Sequence, residues 1–211
     1  MRVVGGSARG KKLLMVPGDG TRPILDRVKT ALFDVLRPRI DGMVLLDLFG
    51  GSGGVGIEAL SQGAAHCTFT DLGDKAVATI KKNLQTTGFT DRAEVRHMDA
   101  FAFLKGTETT FDLIYVAPPQ YKQLWIKAMH LIDERPELLR KPTEEDDEDA
   151  GFVIVQIDPK EYEPLELHTL REMRQKRYGN TVLIFFERID SLRSADSRPF
   201  LEERQELDDG P

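Results

Sequence analysis

Asp47-Leu48-Phe49-Gly50-Gly51-Ser52-Gly53-Gly54-Val55-Gly56 carries the spacing GxGxxG at Gly51, Gly53 and Gly56. The spacing alone is a weak signal, and its surroundings give it meaning. Val44 to Phe49 is a short apolar run suited to a buried parallel strand. A helix is expected from Gly54 to Ser61, and an acid, Asp71, stands roughly 20 residues beyond the glycines. In such a strand–turn–helix unit the glycines let the backbone turn sharply and approach a ligand, while the first helical amides offer donors.

The same alternation continues downstream. Strands are expected at Cys67–Thr70, Ala93–Met98, Phe111–Val116 and Phe152–Ile157, with helices at Asp74–Thr86, near Asp99–Leu104, and at Tyr121–Ile132. Gly88 closes the first of these helices. Two apolar-patterned stretches, Leu165–Tyr178 and Thr181–Glu187, flank Gly179-Asn180, a two-residue hairpin signature. Repeated strand–helix units predict a mostly parallel sheet with helices on both faces, and the late hairpin adds an antiparallel closure. Upstream, Gly5-Gly6 and Gly10 break residues 1–16 into a short hairpin or extended arm. Ile24, Val28, Ala31, Leu32 and Val35 mark a helix over Arg22–Leu36, with Pro23 in its first turn and Pro38 after its end.

Composition bounds the functional classes. A chain of 211 residues with 40% hydrophobic content suffices for one sizeable α/β domain plus an extension. One cysteine, Cys67, excludes a disulfide framework, and the four scattered histidines have no metal-ligand spacing, so no metal is expected. No apolar run reaches membrane-spanning length and the first residues lack a signal-peptide core, so a cytoplasmic protein without a membrane partner is expected, as a monomer. The net charge of −6 is unevenly divided: residues 1–39 hold nine Lys/Arg against three acids, leaving −12 on the remainder. That asymmetry suits a polyanion at one end, and equally a solvated basic face. The expected organisation is a basic N-terminal extension (1–40), a cofactor-binding domain (41–188) and a flexible polar tail (189–211). An acidic loop is expected at Thr143–Asp149.

Three acids at successive strand ends select the ligand. A carboxylate at Asp47, just before the glycines, would repel a dinucleotide pyrophosphate but suits the ammonium group of S-adenosylmethionine. Asp71 is placed for ribose hydroxyls and Asp99 for the adenine amine, with Ala100 packing beside the ring. Phe49, Gly51, Ser52, Gly53 and Gly56 complete the expected cofactor loop. Taken singly, Asp71 and Asp99 are also good helix N-caps, and Asp74 reads as a cap rather than a ligand. Together these features predict a Rossmann-like class I methyltransferase fold with a seven-stranded sheet.

At this level the chain resembles the RsmD-type 16S ribosomal RNA guanine-N2 methyltransferases. The resemblance rests on Arg2-Val3-Val4-Gly5-Gly6, Arg9-Gly10-Lys11-Lys12-Leu13, Thr21-Arg22-Pro23, Asp26-Arg27-Val28-Lys29, Leu32-Phe33, the glycine loop, and Gly56-Ile57-Glu58-Ala59-Leu60-Ser61-Gln62-Gly63-Ala64. It runs from residue 1 to about 188. It implies methyl transfer to the exocyclic amine of a guanine in small-subunit rRNA, within an assembling subunit. Residues 1–40 would then form an N-terminal RNA-binding extension, with Arg9, Lys11, Lys12, Arg22, Arg27 and Lys29 contacting phosphates. For Arg22 and Arg27, capping or ion pairing competes with that role.

The chain departs from the resemblance at the fourth strand. The related enzymes show Asp or Asn, then Pro-Pro, then an aromatic; here the segment reads Ala117-Pro118-Pro119-Gln120-Tyr121. Ala117 has no side-chain acceptor and the aromatic comes one position late. The expected catalytic group is therefore the Pro118 carbonyl, the Gln120 amide and Tyr121 as a stacking ring, with Trp125 a packing residue on the same helix. Three readings follow: an active variant, a changed RNA target, or an RNA-binding assembly protein that no longer catalyses. An NAD-dependent oxidoreductase is disfavoured by Asp47.

Overall fold

The computed structural model describes residues 1–18, 24–141 and 150–189. Twelve regular elements follow in the order α1 (Asp26–Leu36), β1 (Val44–Asp47), α2 (Gly54–Gln62), β2 (His66–Asp71), α3 (Asp74–Thr87), β3 (Ala93–His97), α4 (Ala100–Gly106), β4 (Leu113–Val116), α5 (Leu124–Asp133), β5 (Phe152–Ile157), β6 (Leu170–Tyr178) and β7 (Thr181–Arg188). The strands form one sheet in the order β3-β2-β1-β4-β5-β7-β6. The pairs β1–β2, β2–β3, β1–β4 and β4–β5 are parallel, whereas β7 is antiparallel to both neighbours. This is the expected class I architecture, including the closing hairpin, whose turn holds Gly179 at φ 59°.

Successive strand residues face opposite cores, as the strand period requires. Leu45, Leu113, Tyr115 and Ile154 join a core shared with α1, α2, α3 and the N-terminal arm. Leu46, Ile114, Val116, Val153 and Val155 join a second core beneath α4 and α5. From β1 the chain winds outward through β2 and β3, then returns to β4 on β1's other side. The strand order thus reverses between β1 and β4, where open α/β sheets bind ligands at the carboxyl ends of the strands.

The arm folds back on itself through Val3 N–H to Lys11 O (3.0 Å) and Gly10 N–H to Val3 O (2.9 Å). Its apolar residues Val3, Ala8 and Leu13 are buried in the first core. Glu58 of α2 grips it further, accepting from Val4 N–H (2.8 Å) and Gly5 N–H (2.7 Å). The arm is therefore packed directly against the helix that follows the glycine loop.

Several boundaries differ from expectation. Helix α1 begins at Asp26 rather than Arg22: Leu25 is extended at ψ 143°, so Ile24 and Leu25 lie before the helix. Residues 21–23, including Arg22 and Pro23, lie outside the described residues, as do the acidic run at 143–149 and the tail from 190. Helix α5 begins at Leu124 rather than Tyr121, because Tyr121 (φ 61°) and Gln123 (φ 52°) adopt left-handed conformations. Tyr121 and Trp125 thus do not share a helix face. Gly73, not Asp74, occupies the N-cap of α3.

Candidate active site

A cavity of about 670 Å³ opens at the β1/β4 reversal. Asp47, Phe49, Gly51, Ser52, Asp71, Asp99, Ala100, Pro118 and Gln120 all line it. Nine of the residues expected at the site are thereby brought together. Gly53 and Gly56 shape its wall from behind. Gly53 sits at φ 76°, and a Cβ on Gly56 would lie 2.3 Å from the Phe69 ring, so only glycine lets α2 pack this close to β2.

The three acids do two jobs each. Asp47 Oδ2 accepts from Gly56 N–H (3.2 Å), tying the end of β1 to the start of α2. Asp71 accepts from Gly51 N–H (2.9 Å) through Oδ2 and from Gly73 N–H (2.8 Å) through Oδ1. Asp99 caps α4 by accepting from Ala102 N–H (2.9 Å), the competing role anticipated for it. A carboxylate has about four acceptor sites, so each acid keeps capacity for a ligand after shaping the loop. Asp47 is buried, and that burial pushes its carboxyl up to about 7; the Gly56 amide opposes the rise and the Asp71 charge adds to it.

At the end of β4, beside the end of β1, Ala117, Pro118 and Pro119 also line the cavity. Tyr121 does not line the cavity. Its N–H donates to Glu161 Oε1 (2.6 Å), its hydroxyl donates to Asp158 Oδ2 (3.2 Å), and the ring is 66% exposed. The late aromatic is thus held aside by two carboxylates. Trp125, by contrast, is fully buried as expected and stacks on Tyr162.

The expected phosphate contacts divide. Arg9, Lys12 and Arg27 are exposed. Lys11 is also exposed, and its Nζ donates to the carbonyls of Thr86 (3.0 Å) and Thr87 (3.3 Å) at the end of α3. Lys29 is a correction: it is completely buried, paired with Glu58 (3.0 Å) and donating to Arg2 O (2.5 Å). A desolvated, ion-paired ammonium cannot reach a phosphate. Its place on the buried side of α1, one turn from Leu32 and Phe33, was the available signal.

Sequence reading missed several lining residues. Met1, Met15 and Val16 bring the arm to the cavity, and Ile24 and Leu25 bring the segment before α1. Asn83 of α3 locks that contact, donating to Ser52 O (2.8 Å) and Leu14 O (3.0 Å) and accepting from Leu14 N–H (2.8 Å). Tyr115 and Gln156 also line the cavity. Tyr115 sits two residues before Ala117, so strand alternation alone directs it to the same face.

A family described as Conserved hypothetical protein 95 matches residues 1–187. YlbH of Bacillus subtilis (strain 168), described as an rRNA methyltransferase, is 41% identical over 192 residues, covering 89% of this chain and 99% of that protein. The ribosomal RNA small subunit methyltransferase D of Haemophilus influenzae is 41% identical over 138 residues, 64% of this chain and 71% of the relative. Among solved structures, yhhF of Escherichia coli, described as a methyltransferase, superposes with a TM-score of 0.77 at 28% identity, covering 90% of this chain and 98% of that one.

Proposed function

The chain belongs to the RsmD-type methyltransferase family, and on that premise we propose that it methylates the exocyclic N2 amine of a guanine in small-subunit rRNA. S-adenosylmethionine is the methyl donor, and rRNA methylation is the reaction class. The observation that supports the finer reading is the cavity itself, which Asp47, Asp71 and Asp99 line together with Ala117, Pro118 and Pro119.

The residues present fit the donor. Asp47 supplies a carboxylate for an ammonium group, Asp71 acceptors for ribose hydroxyls, and Asp99 with Ala100 a polar and an apolar contact for adenine. When bound, the donor supplies an already activated methyl group, so the protein's task is alignment. A guanine amine is a weak nucleophile because its lone pair is delocalised into the ring. A base flipped into the cavity would find the Pro118 carbonyl and Gln120 amide oxygen as acceptors. The acceptor base approaches from the side of the arm and α1, where Arg9, Lys12 and Arg27 are exposed to phosphates and Lys11 keeps one donor beyond its two carbonyl contacts. The substrate is taken to be an assembling subunit in the cytoplasm, met by a monomer.

A second reading rests on one observation. Ala117 has no acceptor and Tyr121 is turned toward Glu161 and Asp158, as in a protein that keeps cofactor and RNA binding without turnover. Incubation with labelled S-adenosylmethionine and undermodified small subunits separates the two. Label at a single guanine, recovered as N2-methylguanosine, is expected. Label on another base or atom would redirect the target. Bound cofactor with no label above background would establish the non-catalytic reading.

A further inference from the structure

The polar group absent from position 117 has a counterpart on the neighbouring strand. In the β4–β5 register, Tyr115 pairs with Ile154 and Val116 with Val155. Continuing one residue puts Ala117 beside Gln156. Residues 113, 115 and 117 share a face of β4, and 154 and 156 share the matching face of β5, since Leu113, Tyr115 and Ile154 all enter the first core with Ala117 packed against it. Gln156 therefore stands on the same wall of the cavity as Ala117, one strand spacing away.

Its side chain is also held. The Tyr115 hydroxyl donates to Gln156 Oε1 (2.5 Å), and Tyr115 is only 2% exposed. This bond sets Oε1 against the hydroxyl and leaves the two Nε2–H donors turned away from it. Tyr115 in turn pairs with Asp47 across β1 and β4, so the amide is anchored to the floor of the cofactor site. Gln120, on the loop after the prolines, has no comparable anchor among the described residues.

We infer that Gln156, oriented by Tyr115, receives the Watson–Crick edge of the target base in place of the missing side chain at 117. An amide offers an acceptor and a donor side by side. Guanine offers the complement, an N1–H donor beside the O6 acceptor, adjoining the N2 amine. Oε1 retains a lone pair for N1–H after accepting from Tyr115, and Nε2 donates to O6. The amine is thereby aimed at the Pro118 carbonyl, and adenine, whose edge reverses donor and acceptor, is refused. Gln156 is the base-contacting residue and Tyr115 a positioning residue. The inference rests on the guanine-N2 reading above.

The test uses the full chain, labelled S-adenosylmethionine and undermodified small subunits, with cofactor affinity measured separately by calorimetry. Gln156→Ala and the length-conserving Gln156→Met are each expected to lower kcat/KM about 10- to 100-fold, the range for one or two hydrogen bonds to a buried base edge. Cofactor affinity should stay near wild type, whereas the melting temperature should fall by about a few degrees, because the buried Tyr115 hydroxyl loses its acceptor. Tyr115→Phe is expected to fall about fivefold, chiefly in kcat, because the amide stays but is free to turn. The decisive arm is Ala117→Asp. In the wild-type background the new carboxylate competes with Gln156 and lowers activity; in Gln156→Ala it restores an acceptor at the neighbouring position and recovers at least fivefold. A purely structural glutamine would show no such reversal of sign. Gln156→Met within twofold of wild type, or Gln156→Ala no better with Ala117→Asp than without it, overturns the inference. Absence of label with the wild-type protein would instead sink the guanine-N2 reading itself.

Discussion

Asp47 is a carboxyl group whose charge state is set by where the fold puts it. Burial raises it to about 7, so in the free protein near neutral pH it is poised between forms. A cationic ammonium beside it would favour the charged form, so cofactor binding should release a proton and tighten as pH rises through 7. Calorimetry in buffers of different ionisation enthalpy measures that proton directly. Asp47→Asn keeps an acceptor for the Gly56 amide but not the charge. It is expected to weaken binding at least tenfold at pH 8 and only a few-fold at pH 6. The stability effect has the opposite sense. With the folded carboxyl raised above its unfolded value near 4, the free protein loses this group's contribution as pH climbs from about 4 through 7. Asp47→Asn should therefore gain melting temperature relative to wild type at pH 8 compared with pH 5. An unchanged difference between those two pH values would show that the group ionises normally.

At the scale of elements, the buried Lys29–Glu58 pair joins α1 to α2 and carries the arm with it. Glu58 accepts from Val4, Gly5 and Gln62 as well as meeting Lys29, so its charge is well satisfied only while α1 is docked. Lys29→Met should strand that carboxylate and cost about 3–5 kcal/mol, read as a lower urea midpoint. Adding Glu58→Gln removes the stranded charge while keeping an acceptor, and should recover part of the loss. This pair also marks where legibility ended. The strand–helix alternation, the glycine loop and the strand-end acids were all written in local pattern, because each depends on neighbours within a few residues. The partner of Lys29 was not, since it lies 29 positions away and is chosen by tertiary packing. The onset of α5 failed for a related reason: the apolar period ran back to Tyr121, but a bond from its amide to Glu161, 40 residues on, holds the backbone left-handed. Gln156 was invisible likewise, because its meaning comes from a β4–β5 register that no single segment encodes.

Over the whole molecule, charge separates the two ends of the reaction. Residues 1–39 carry +6 and the remainder −12, so on the proposed function the acidic bulk would repel RNA while the arm and α1 would attract it. That division would orient the approach: the arm lines the cavity through Met1, Met15 and Val16, so RNA held there would lie beside the proposed donor site. The burial of Lys29 removes one expected contact; among the described residues Arg9, Lys12 and Arg27 are exposed cations whose loss should be felt in binding, beside Lys11, which is exposed but already holds the Thr86 and Thr87 carbonyls. Replacing all three with Gln should weaken affinity for small-subunit RNA and flatten its salt dependence. Each phosphate contact contributes about 0.7–0.9 to the slope of log affinity against log salt, so the triple variant should lose roughly two units. Calorimetric affinity for S-adenosylmethionine should not change, because none of the three lines the cofactor cavity. If the slope is unaltered while affinity falls, these side chains act through packing of the arm rather than phosphate contact. If neither changes, RNA is received elsewhere on the molecule.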